Sequence, residues 1–204
     1  MTAKDVILAR KLGGGGGGTE ITDGIVVKAR DADGYATEID YYNSEGVINR
    51  QAFFTYAAKG FFAKTSTINV KNAITLVKGE AFRGSAFTQV NLPDVTDVNG
   101  GDNFREMSHV TSILLPKVTS FHDGQYIFYQ DNTLDFVQLG SVGNALTAIR
   151  NNAFSSMTSP ATIEVYTDGT SADTILANIR NGATNATIII KDSTTGETIV
   201  TSTP

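Results

Sequence analysis

The sequence predicts a solenoid: short parallel strands stacked in coils, each coil burying its apolar side against the next. Two observations carry this. An apolar–x–apolar triplet opens at Ile39, Ile68, Val90, Ile113, Val137 and Ile163, at intervals of 29, 22, 23, 24 and 26 residues. A phenylalanine follows the first five at a nearly fixed offset: Phe53, Phe82, Phe104, Phe128 and Phe154, at +14, +14, +14, +15 and +17. Self-similarity with a period in the twenties marks units that cannot bury their apolar faces alone.

Within each triplet the outer residues alternate with a middle one, which is strand periodicity. The middle residues Asp40, Asn69, Asn91, Leu114, Gln138 and Glu164 are therefore expected to line one exposed strand face, the candidate binding face. Leu92-Pro93 and Leu115-Pro116 close two strands where proline removes no needed donor, and Leu139-Gly140 replaces that step in the next unit. Val95, Val118 and Val142, with Val98, Phe121 and Leu146 after them, are expected to fill the interior with the phenylalanines. Unequal intervals place variable loops on one side while the strands stay in register. An aromatic insertion, Phe54 to Phe62, and the segment Gln125 to Tyr129 read as core or cap material.

The ends differ from the repeats. Residues 1–12 read as a short helix or strap whose apolar Val6, Ile7, Leu8 and Leu12 need a partner surface, because so short a helix is unstable alone. Gly13 to Gly18 form a flexible linker over 13–18. Residues 19–38 read as a hairpin cap turning at Asp33-Gly34, and 39–166 as the repeats. Asp31-Ala32-Asp33-Gly34 starts like a calcium loop but lacks the later ligands, so a turn is expected. Residues 167–204 read as an α/β cap: a helix from Ser171 to Arg180 capped by Ser171 or Thr170, then a strand over Thr187 to Ile190 as a seventh rung.

Composition excludes several functions. A net charge of −5 without clustered Lys or Arg gives no footprint for nucleic acid. The chain has no cysteine, which removes disulfides and thiolate metal sites. No apolar run reaches the length of a membrane span. Val6 to Ala9 is too short for a secretion signal, so export by the general route is not expected. His109 and His122 lack metal or nucleophile spacing. The carboxylates Asp94, Asp97, Asp102 and Glu106 fall near one repeat edge and read as solvated loop residues. No cofactor and no catalysis are expected.

The unit Val90-Asn91-Leu92-Pro93-Asp94-Val95 followed by Asn103-Phe104 resembles the BspA-like, or Treponema-type, leucine-rich repeat. Ile113-Leu114-Leu115-Pro116-Lys117-Val118 and the Ala52-Phe53, Ala81-Phe82 and Ala153-Phe154 pairs resemble it too, without the cysteine that often follows Ala-Phe. This resemblance covers about 39–166 and implies a right-handed leucine-rich-repeat solenoid with irregular loops. A softer resemblance covers the ends. Ala3 to Ala9 before the glycine run, Asp23 to Arg30, and Gly182 to Ile188 look like parts of phage and prophage structural proteins of Gram-positive gut bacteria. It implies a virion location, with residues 1–12 anchoring to other virion proteins and the solenoid meeting a host-surface glycan or protein. The alternative is a bacterial cell-surface adhesin with the same repeats. Assembly as a homo-oligomer is compatible with both.

Overall fold

A computed structural model of the chain describes residues 6–11, 21–49, 64–122 and 124–204. Leu12, the Gly13 to Gly18 linker, Phe53 and the Phe54 to Phe62 insertion lie outside the described residues. The fold is the expected solenoid of short parallel strands, about six turns long, with one full helix among the described residues.

One face is a stack of strands. β1 (Val6–Lys11), β2 (Ile21–Arg30), β3 (Ala36–Tyr42) and β5 (Thr67–Val70) form the first sheet, in that order. A six-stranded sheet continues it, in the order β14 (Thr198–Ser202), β13 (Thr187–Asp192), β12 (Thr162–Thr167), β11 (Phe136–Leu139), β9 (Ser112–Leu115) and β7 (Gln89–Asn91). The Thr88 N–H donates to the Ser66 carbonyl at 2.9 Å, just as Thr111 donates to Thr88 at 2.8 Å, so both sheets keep one register. From β3 to β13 the pairing is parallel wherever successive repeats meet, as in β9 with β11 and β12 with β13.

A second face was not anticipated. β4 (Val47–Asn49), β6 (Leu76–Lys78), β8 (Asp97–Asn99) and β10 (Ser120–His122) form a four-stranded parallel sheet, ordered β10-β8-β6-β4. Each strand is three residues long and sends its middle residue inwards: Ile48, Val77, Val98 and Phe121 are buried. Threonine hydroxyls link the coils just before these strands. Thr96, Thr119 and Thr147 donate to the carbonyls of Thr75, Thr96 and Thr119 at 3.3, 3.3 and 3.0 Å.

The third side of each coil turns on its phenylalanine. Phe82, Phe104, Phe128 and Phe154 are fully buried and stacked, with centroids 5.2, 5.5 and 4.5 Å apart and ring planes within 16° of parallel. Two residues beyond each ring the backbone is left-handed, at Gly84, Glu106, Gln130 and Ser156 (φ +65, +59, +60 and +58). Only the first is glycine. A left-handed non-glycine residue costs about 1–2 kcal/mol, offset in part by glycine's own entropic cost of about 0.5–1 kcal/mol. Exposed Ser156→Gly is thus expected to stabilise the chain by about 0.5–1 kcal/mol, readable as a rise in denaturation midpoint.

Three expectations need correction. Val142 is 57% exposed, not interior. The path from Leu139 to the next inward residue is seven residues, against three from Leu92 to Val95. The extra residues form the turn closed by Ser141 and Asn144, and Leu146 takes the interior place while Ile149 follows it inwards. Second, Val6–Lys11 is neither helix nor free strap but an edge strand antiparallel to β2, pairing Val6 with Val26 and Ile7 with Ile25. Sheet pairing supplies the partner that so short an apolar segment lacks as a helix. Third, Ser171 makes no side-chain cap to α1 (Ala172–Arg180). Asp168 instead accepts from the Thr170 N–H and hydroxyl, at 3.0 and 2.8 Å.

The remaining end elements are a hairpin before the repeats and a helix, a rung and a return strand after them. Asp31 closes the β2–β3 turn by accepting from the Asp33 and Tyr35 N–H groups, with Gly34 left-handed. β13 stacks on β12 as a further rung, and β14 folds back antiparallel. α1 buries Ala172, Ile175 and Ile179 over the last coil.

Candidate functional site

Alternation along each strand sorts its residues into inward and outward sets. Val90, Ile113, Val137 and Ile163 are fully buried, so the middle residues of these triplets face outwards. Direct pairing aligns Asp40 with Asn69, Asn91 with Leu114, Leu114 with Gln138, and Gln138 with Glu164. Asn69 and Asn91 lie on the neighbouring strands β5 and β7, which the Thr88–Ser66 hydrogen bond connects. All six candidate face residues therefore fall in one row, and Ile189 extends it beyond Glu164.

Asp40 departs from the expected exposure: its residue is only 5% exposed. Lys28 and Lys71 approach its carboxylate at 3.8 and 3.6 Å, and the Asn69 amide donates to it at 3.1 Å. These partners come from β2 and from just beyond β5, so the row's first member is covered by its neighbours. Asn69 also donates to Glu38 at 2.8 Å and is committed to this cluster. The accessible row consists of Asn91, Leu114, Gln138 and Glu164, beside a parallel column of Gln89, Ser112, Phe136 and Thr162.

At its far end the row's charge is compensated. Glu164 accepts from the Tyr166 hydroxyl at 2.7 Å and pairs with Lys191 at 2.9 Å. Burial, reinforced by the bond to Glu164, pushes the Tyr166 phenol up. The same carboxylate holds the Lys191 ammonium above its ordinary value. Glu164 and Lys191 offset one another, leaving a face of amides, hydroxyls and half-buried apolar groups. Phe136, Tyr166 and Lys191 were not singled out from the sequence. The signal existed for each, because they lie two positions from a middle residue and so share its face.

Other titratable groups divide among separate places. Arg105 bridges Asp102 and Glu106, both at 2.9 Å, lies over the Tyr129 ring at 4.6 Å, and is held above its ordinary value by the bond to Asp102 first. Arg83 reaches Glu80 at 3.1 Å and Glu106 at 3.6 Å. Asp94 pairs with Lys117 at 2.7 Å. Asp97 lies 3.3 Å from His122, which contacts the Ser120 hydroxyl at 2.9 Å, while His109 contacts the Ser108 hydroxyl at 3.0 Å. The four carboxylates near one repeat edge thus divide among three separate clusters. Among the described residues no cluster of His, Asp and Glu has the makings of a metal site.

Asp131 is a buried acid within the Phe128 turn. One carboxyl oxygen accepts from the Met107 N–H at 2.8 Å, and the other has no partner. Burial pushes its pKa well above the ordinary range, the Met107 N–H opposes this, and the Glu106 charge adds to the rise. The folded state therefore keeps a proton that the unfolded chain releases. By linkage, its stability contribution is lost as pH rises from the ordinary carboxylate range through the raised folded value. Asp131→Asn is expected to stabilise the chain at neutral pH and to change little near pH 3, measured by urea denaturation at the two pH values.

A parallel, two-sheet coil with an open strand face and stacked turn phenylalanines defines a leucine-rich-repeat scaffold, an architecture that typically presents a binding surface. The profile of the BspA type Leucine rich repeat region matches six copies over residues 47–176, running into α1. The chain belongs to that family. No curated protein and no solved structure matches it.

Proposed function

We propose that the chain is a recognition module whose outward strand face, centred on Asn91, Leu114, Gln138 and Glu164, contacts a glycan or protein on a host surface. The carrying observation is the face itself: an in-register row of amide and apolar groups whose one accessible carboxylate is neutralised by Lys191. Such a surface suits a ligand bound by hydrogen bonds and apolar contact over one held by charge. Family membership supports a binding or adhesive role.

The carrier proposed is a phage virion, on the likeness of the terminal segments to phage structural proteins. Attachment to other virion proteins runs through residues 1–12, whose β1 is the outermost strand of its sheet among the described residues. A bacterial cell surface is the second reading, favoured by the family match. Immunogold labelling with antibody to the chain separates them. The virion reading expects gold on purified particles; gold on cell envelopes alone would replace it with the adhesin reading.

A further inference from the structure

Among the described residues the six-stranded sheet ends at β14, and no strand lies beyond it. Edge strands invite pairing, and folded proteins usually blunt them with charge, proline or bulges. The opposite edge follows that rule: β1 includes Arg10 and Lys11 and pairs with β2 through two register shifts. β14 does not. Thr198-Ile199-Val200-Thr201-Ser202 contains no charge and no proline, and four of its five residues are β-branched. Its one irregularity, opposite Ile190 and Lys191, leaves Ile199 45% exposed.

Val142 belongs to the same corner. The Gly143 N–H donates to the Ser193 carbonyl at 2.7 Å, and a Cβ on Gly196 would sit 3.2 Å from a Val142 methyl. Val142 and Ile199 are the two most exposed large apolar side chains among the described residues. Val142 thus lies against the β13–β14 turn, and Ile199 lies on the edge strand itself. Arg180 already holds the Ser202 carbonyl at 2.7 Å, which leaves Thr198 to Thr201 for pairing.

We infer that β14 pairs antiparallel with β14 of a second copy, joining two strand faces into one continuous sheet across a two-fold axis. Antiparallel self-pairing is isologous and closes at two chains. It sets no like charges opposite one another, although each chain carries a net −5. The alternative contact, β14 against the partner's β1, would meet a basic and irregular edge and would grow without closing. A short edge buries less than the roughly 1,000 Å² expected of a stable interface, so the dimer is weak and reversible. Its effect is to double the recognition face on one rigid sheet, which raises avidity for a repeated ligand; the pairing itself does not depend on what that ligand is.

Sedimentation equilibrium of the full chain, from micromolar to millimolar concentration, tests this. The expected result is a monomer–dimer equilibrium. Ile199→Lys and Thr201→Lys, both at exposed positions, should each weaken it at least about tenfold, whereas Arg10→Ala should leave it unchanged. A monomer at every concentration, a dimer indifferent to both lysines, or growth beyond two chains would overturn the inference.

Discussion

Phe128→Ala is expected to destabilise the chain by about 3–5 kcal/mol, the range for a phenylalanine removed from a closed core. Phe128 is fully buried and stacks on Phe104 at 5.5 Å and Phe154 at 4.5 Å, with the Phe121 edge at 6.2 Å. Its removal opens a void in the middle of a continuous ring stack, where coils on both sides are held by strand pairing and cannot collapse inwards. Phe104→Ala, flanked by Phe82 and Phe128, is expected to fall in the same range. In a one-dimensional array the damage is also an interface loss between neighbouring coils. Urea melts of both variants check this, and midpoints matching the wild type would reject the stack as the main interior column.

Gly140→Ala carries the second large effect, about 2–5 kcal/mol, combining a left-handed backbone penalty of about 1–2 with overpacking of about 1–3. Gly140 has φ +78, and a Cβ there would lie 2.6 Å from the Asn144 carbonyl oxygen and 3.1 Å from that of Tyr166. Both obstacles are backbone, so no side chain can move aside. The residue starts the long Ser141–Asn144 turn and accepts from the Gln138 amide at 3.1 Å. The substitution should therefore disturb the Tyr166 end of the strand face as well as stability. Thermal midpoint and tyrosine fluorescence, followed together, check both consequences.

These two positions also mark what the sequence discloses and what it conceals. The triplets and the phenylalanines were legible because alternation and a near-constant offset survive irregular loops. Val142 was misplaced by the same counting, since the longer loop after Gly140 shifts the inward positions to Leu146 and Ile149. The second sheet was hidden because a three-residue strand such as Val47–Asn49 or Leu76–Lys78 is too short for alternation to register. Val6–Lys11 concealed its pairing because a short apolar run reads equally as helix or strand.

The strand face was legible as a row, but not in its electrostatics. Asp40 reads as an exposed polar residue until Lys28 and Lys71, twelve and thirty-one positions away, close over it. Glu164 likewise reads as a free charge until Lys191 arrives from the following rung. In a solenoid such partners sit one coil apart, a separation that local patterns do not encode. Family membership carries the architecture and the binding role; the ligand has to be sought on the face itself.

The most direct test compares the two sheets of the same molecule in one binding assay. Fluorescently labelled chain is applied to whole Gram-positive gut bacteria, with Leu114→Glu and Gln138→Lys altering the outward face of the main sheet. Lys78→Glu and Asn99→Lys, both exposed on the second sheet, serve as the matched pair. With all four variants melting like the wild type, the first pair is predicted to reduce cell binding at least about tenfold, a loss of about 1.4 kcal/mol, and the second pair to leave it unchanged. Binding that survives the first pair and falls with the second would contradict the assignment of the recognition face.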